Sequence, residues 1–230
     1  MGKPWKDDAD LFQLARRELY TAVVGDIMDQ MDLTHQFLPP QIRPLHPDMV
    51  IVGRAMTVLS VDVSDAKEVD NNELPRKPFG MMLEALDNLR HDEVYFVSGA
   101  SPCYALWGEL MSTRAKQLGA AGAVMNGYSR DTRGILACEF PTFSWGPYAQ
   151  DQARRGEVID FRVQLDVEGT SVSPGDIIFG DIDGVCVIPA LVRNDVFKLA
   201  FEKVSGENQV RTALQAGMTA VEAFKQYGIL

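Results

Sequence analysis

Gly108-Glu109-Leu110-Met111, followed by Ala121-Gly122-Ala123-Val124-Met125-Asn126-Gly127-Tyr128-Ser129-Arg130-Asp131-Thr132-Arg133, decides how this chain folds. A glycine opens a helix over residues 108–118, and Gly119 ends it. The apolar run 121–126 then reads as a buried strand that stops sharply at Asn126-Gly127. Asp131 opens a short helix through Ala137. Outward from this centre, Phe79–Leu89 predicts a helix, Glu93–Ser98 a strand and Thr142–Trp145 a short strand. This βαβαβ order implies an α/β protein with parallel strands and right-handed crossovers. Ligands of such sheets bind beyond the carboxyl ends of the strands. Gly108 and Arg130-Asp131 each follow a strand closely, so the pattern brings them to one sheet edge.

Further out, Leu11, Leu14, Ala15 and Leu19 mark one side of a helix over residues 10–19. Thr21 is the expected cap of a second helix through Met31, which turns Val24, Ile27 and Met28 inward. Pro39-Pro40 breaks any helix. Val50–Val63 reads as strand with a bulge at Gly53, and residues 64–78 as a long polar loop. After residue 155 the pattern turns β-rich. Val158–Val167 alternates, Pro174-Gly175-Asp176 turns, and Asp181-Ile182-Asp183-Gly184 signals a hairpin between 177–179 and 185–188. Gly217 ends a long helix, and Thr219-Ala220-Val221-Glu222 is a capping box for the last one. No repeat or linker divides residues 1–230, so a single domain is expected.

The net charge of −10 argues against sequence-independent binding to nucleic acid, which needs a basic face. No apolar run approaches the ~20 residues of a membrane span, and the first residues lack an apolar signal core; a cytoplasmic protein is expected. Cys103, Cys138 and Cys186 are odd in number and far apart, which fits reduced core or near-core thiols.

The chemistry concentrates in the opening stretch. The helix start at Gly108 exposes unpaired N–H groups and the positive end of the helix dipole, an arrangement that favours an anion. Glu109 complements that dipole. Asp131 stands where a helix cap stands, and it also stands where one carboxylate would hold a hard divalent cation that keeps several waters. Arg130 offers a planar, multi-donor cation to a substrate oxygen. The three histidines, His35, His46 and His91, lack metal-ligand spacing. Gly180–Gly184 lacks the rest of a calcium loop, and Ser98–Ser101 lacks a P-loop lysine. No lysine lies within a strongly apolar strand, which disfavours imine chemistry.

These residues resemble the RraA-like family, which includes the class II 4-hydroxy-4-methyl-2-oxoglutarate aldolases and the regulator of ribonuclease E activity. The resemblance is carried by 108–111, by 121–131, by Pro174-Gly175-Asp176 with Asp183-Gly184-Val185-Cys186-Val187-Ile188-Pro189, and by the tail 216–230. It implies a swivelling β/β/α domain with C-terminal helices, assembled as a homotrimer or homohexamer with sites between subunits. It implies that Gly108, Glu109, Leu110 and Met111 hold the pyruvyl part of a small 2-oxo acid, that Arg130 contacts it, and that Asp131 binds Mg2+ or Mn2+. An acidic residue of a neighbouring C-terminal helix, Glu202 or Glu207, also belongs to the implied site, with Asp26 or Asp29 as further candidates. The implied activity is metal-dependent cleavage of a 4-hydroxy-2-oxo acid to pyruvate and a second oxo acid, with oxaloacetate decarboxylation as a side activity. The alternative is a non-enzymatic regulator that binds a ribonuclease or another protein. Tyr128-Ser129, Ser144-Trp145 and Trp107 depart from the common family pattern and are expected to reshape the pocket.

Overall fold

The computed structural model describes residues 3–63 and 79–228. The elements run α1 (Asp8–Glu18), α2 (Thr21–Gln30), β1 (Arg43–Pro44), β2 (Ile51–Asp62), α3 (Met82–Asp87), β3 (Glu93–Ser98), β4 (Ala105–Trp107), α4 (Glu109–Gln117), β5 (Gly122–Met125), β6 (Tyr128–Ser129), α5 (Thr132–Ala137) and β7 (Thr142–Ser144). They continue with β8 (Gly156–Phe161), β9 (Leu165–Val167), β10 (Thr170–Val172), β11 (Ile177–Asp181), β12 (Gly184–Ile188), α6 (Arg193–Gln215) and α7 (Ala220–Tyr227).

The main sheet has the order β1-β7-β5-β3-β2-β11-β12, with β2, β3, β5 and β7 parallel as the alternation of elements predicts. The long β2 changes partner along its length: Ile51–Arg54 pairs with β11 and Val58–Asp62 with β8. The sheet curls nearly closed. Arg43 on its β1 edge reaches the turn of the β11–β12 hairpin at the other edge, donating to the carbonyls of Ile182 and Asp183.

Side chains alternate between two faces along each strand. Val94, Phe96 and Val124 point into the curl with Ile51, Phe143 and Val187. Tyr95, Val97, Ala123 and Met125 point outward, where α3, α4 and α5 cover them with Leu86, Ala115 and Ile135. Burial on both faces is why β3 and β5 read as continuous apolar runs. The helices α1, α2 and α6 cover another part of the sheet through Phe12, Val24, Ile27 and Phe197, packed on Val52, Phe179 and Ile188.

The structure corrects several expectations. Thr21 is the first residue of α2, and its side chain caps nothing; its N–H and hydroxyl both donate to Asp181 at 2.7 and 2.6 Å. A carboxylate from the β11–β12 hairpin therefore closes the α2 N-terminus. The helix expected over 79–89 shrinks to Met82–Asp87, because Phe79 and Gly80 take left-handed conformations and the Met81 N–H bonds to Val158 O. The bulge in β2 lies at Leu59/Ser60, where it meets β8; Gly53 instead permits close approach of Asp92 O, which an added Cβ would meet at 2.6 Å. The alternating run 158–167 divides between two sheets, since Arg162 turns left-handed between β8 and β9. Cys186 is buried and Cys138 half-buried, but Cys103 is exposed. The hairpin at Asp181–Gly184, the end of α6 before Gly217 and the α7 capping box stand as expected. The loop read at 64–78 lies outside the described residues. No helix among the described residues is long and apolar enough to cross a membrane.

Candidate active site

Two short strands that the sequence pattern did not reveal build the site. β4 and β6 pair in parallel outside the main sheet, and the Arg130 N–H continues the pairing by donating to Trp107 O at 2.8 Å. Each strand leads directly into a helix, β4 into α4 through Gly108 and β6 into α5 through Asp131. The pairing therefore sets the two helix starts side by side. The Trp107 indole anchors this unit. It is buried between Tyr95 and Phe140, and its N–H donates to Ser112 Oγ at 2.7 Å.

Gly108 caps α4 with extended backbone and no side-chain bond, so the first-turn N–H groups of Glu109, Leu110 and Met111 stay free of a cap. Asp131 occupies the cap position of α5 in a left-handed conformation, φ 57°, and its side chain makes no cap bond either. Its carboxylate turns toward α4 instead: a Cβ built on Gly108 would lie 2.7 Å from Asp131 Oδ2. The capping and ligand readings of Asp131 are thus separated by geometry, since the backbone holds the cap position while the carboxylate is left over. Among the described residues its charge partner is Arg130, with Nε at 3.7 Å.

Arg130 also reaches Asp151, with Nη1 to Oδ1 at 3.2 Å. Asp151 and the buried Gln152 follow a segment laced to the small sheet by Ser129 N to Gly146 O, Tyr148 N to Ser129 O and Ala105 N to Gln150 O, at 2.8–3.1 Å. A cavity of about 340 Å3 opens among these groups. Gly108, Leu110, Met111, Arg130 and Asp131 line it on one side with Asp151 and Gln152, and Phe79 with helix α3 lines the other.

The structure thus brings together five of the six residues singled out in the sequence. Glu109 departs from the set: its side chain lies over Gly134 of α5, where any Cβ would collide with it. That position, beside a helix start, agrees with the dipole role. Leu110 is 83% exposed at the mouth. None of Glu202, Glu207, Asp26 and Asp29 lines the cavity. Glu207 accepts from the Tyr20 hydroxyl, and Asp26 pairs with Lys203. Trp107 contributes a buried wall, whereas Tyr128, Ser129, Ser144 and Trp145 do not line the cavity at all, contrary to the expectation that they reshape it. The sequence pattern does not mark Asp151, Gln152 or the α3 residues as lining. The irregular stretch 146–155 has no periodicity to mark it, and apolar residues such as those of α3 look alike in sequence whether they face a core or a cavity.

Among the described residues no group of three or more His, Cys, Asp or Glu side chains could hold a metal ion. The donor set fits only an ion content with one protein carboxylate, which is how magnesium commonly binds beside a substrate.

The chain matches the RraA-like family, described as Aldolase/RraA, over residues 21–187. A protein of Halalkalibacterium halodurans named "Putative 4-hydroxy-4-methyl-2-oxoglutarate aldolase" is 29% identical over 209 residues, covering 90% of each chain. Protein DlpA of Legionella pneumophila is 26% identical over 212 residues; these cover 90% of this chain but only 32% of DlpA. The crystal structure of an uncharacterized protein from Pseudomonas syringae superposes with a TM-score of 0.83 at 23% identity, over 99% of this chain and 98% of that one.

Proposed function

This chain belongs to the Aldolase/RraA family, and from that premise we propose that it is a divalent-metal-dependent lyase that cleaves a 4-hydroxy-2-oxo acid to pyruvate and a second oxo compound. One observation carries the reading: the Asp131 carboxylate, unused as a cap, lies against the open N-terminus of α4 with Arg130 beside it, at one cavity. The aldolase name of the relatives supports the same chemistry.

In this reading Asp131 would hold a magnesium or manganese ion. Bound there, the ion supplies Lewis acidity to the 2-oxo acid. The free N–H groups at Glu109, Leu110 and Met111 receive the substrate carboxylate, favoured by the helix dipole. Arg130 faces the keto oxygen and offsets the negative charge that grows on it as the C3–C4 bond breaks. Asp151 fixes the guanidinium in that orientation. The 4-hydroxyl proton leaves to a water or a carboxylate, and protonation at C3 gives pyruvate. Oxaloacetate yields the same enolate by losing CO2, so its decarboxylation is the expected side activity. Assembly as a trimer or hexamer belongs to the proposal, and the exposed Leu110 at the mouth supports a neighbouring copy covering it.

The test is pyruvate release from oxaloacetate and 4-hydroxy-4-methyl-2-oxoglutarate, coupled to lactate dehydrogenase, with magnesium or manganese and then with chelator. Metal-dependent release that is lost in Asp131→Asn supports the lyase. Absence of release from folded, metal-supplied protein turns the reading toward a protein-binding regulator.

A further inference from the structure

The two walls of the cavity differ in kind. Among the described residues, every charged side chain that lines it, Arg130, Asp131 and Asp151, comes from the segments beside the small sheet. The facing wall is Phe79, Met82, Leu83 and Leu86, continued at the mouth by Leu110 and Met111, with no polar side chain among them. Arg130 is the one basic residue of the described lining, and two aspartates already engage it, at 3.2 and 3.7 Å. A substrate whose pyruvyl end sits at Gly108 and Arg130 therefore extends its far end along α3. A second carboxylate there would lose water against methionine and leucine and meet no cation among the described residues, a costly arrangement. An alkyl or aryl group would bury apolar surface instead, which strengthens binding about four-fold per methylene.

We propose that the natural substrate is a 4-hydroxy-2-oxo acid with an uncharged, apolar distal half, which the enzyme releases as an apolar aldehyde or ketone. The inference rests on the lyase reading for its chemistry and on the lining alone for its specificity. The reaction needs no further reagent. The C3–C4 bond breaks, the 4-hydroxyl loses its proton to become the carbonyl of the apolar product, and C3 gains a proton to become the methyl group of pyruvate.

Two measurements test it. The first compares kcat/KM for pyruvate release from 4-hydroxy-2-oxooctanoate and from 4-hydroxy-4-methyl-2-oxoglutarate. A preference of about ten-fold or more for the alkyl substrate is expected, and Leu83→Arg, a change at a position 56% exposed, should shrink or reverse it. The second measures calorimetric binding of 2-oxooctanoate and 2-oxoglutarate to the metal-supplied protein, independent of turnover. Tighter binding of 2-oxooctanoate without any cleavage would keep the apolar pocket and overturn the lyase. Faster cleavage of the dicarboxylate would keep the lyase and overturn the apolar pocket. Failure to bind or cleave either compound would overturn both.

Discussion

The Asp131 carboxylate fills the space that a side chain on Gly108 would take, with 2.7 Å between Oδ2 and the site of the missing Cβ. The backbone of Gly108 is extended, φ −151°, so alanine fits the chain conformation there. What alanine displaces is the carboxylate. Gly108→Ala should therefore keep its stability within about 1 kcal/mol of the parent, as changes that disturb only a partly exposed side chain do. Its metal-dependent pyruvate release should fall by about 100-fold, the scale of a misplaced catalytic group. Thermal unfolding and the coupled assay on the same preparation check both parts; a large loss of stability would show that the glycine serves folding instead.

In the proposed mechanism Asp131 has two jobs that substitution separates. Its left-handed backbone suits Asp and Asn better than Ala, by about 1 kcal/mol. Asp131→Asn should keep the melting temperature and lose metal-dependent turnover by about 100-fold or more. Asp131→Ala should lose the same turnover and about 1 kcal/mol of stability as well. Equal melting temperatures for the two variants would contradict the strained backbone, and full turnover in either would remove Asp131 from the chemistry.

Arg130 and Asp151 form the second testable pair. Lysine keeps the charge at position 130 but cannot hold Asp151 and face a substrate oxygen at once in a fixed plane. Arg130→Lys should lower kcat by roughly 10- to 100-fold while the fold stands. Asp151→Asn should give a smaller fall, about ten-fold, because it frees the guanidinium without removing it. If Asp151→Asn costs more than Arg130→Lys, Asp151 takes part directly, as the base for the 4-hydroxyl.

The parallel core and the Gly108/Arg130-Asp131 meeting were legible because burial on both faces leaves continuous apolar runs that local pattern exposes. What was not legible arises from contacts between distant segments. The three-residue β4 and two-residue β6 are too short to show a period, yet their pairing sets the site. Asp151 enters from an irregular stretch placed by backbone bonds to both strands. Residues such as Met82 and Leu86 look the same in sequence whether they face a core or a cavity. Local pattern marks Thr21 as the cap of α2 because it cannot supply a carboxylate from 160 residues away.

Tyr20 gives a pH dependence. Its burial, and then its hydrogen bond to Glu207 of α6, raise the phenol pKa to about 12. The folded state thus holds the proton more tightly than the unfolded chain, whose value is about 10. The stability from this group is fully present below about pH 10 and is lost as pH rises through about 12. Urea unfolding across that window should show the loss, and Tyr20→Phe should flatten it. An unchanged slope in the phenylalanine variant would remove Tyr20 as the cause.

Asp181 joins the helical layer to the sheet. It is buried at the end of β11 and accepts three bonds, from the Thr21 N–H and hydroxyl and from the Asp183 N–H, at 2.6–2.9 Å. These bonds tie the first turn of α2 to the hairpin, outside the cavity lining. Asp181→Ala would leave buried donors without a partner, a loss of about 3 kcal/mol. Asp181→Asn keeps one acceptor oxygen and should lose less, about 1–2 kcal/mol. Thr21→Val removes only the hydroxyl donor and should fall between the parent and Asp181→Ala. Because α2 and the hairpin lie outside the cavity lining, kcat of the folded fraction should stay unchanged in all three variants. Denaturant midpoints ranked in this order, at constant turnover, would separate the residues that hold the fold from those that act in the site; a fall in turnover with Asp181→Asn would show that the hairpin reaches the chemistry through the sheet.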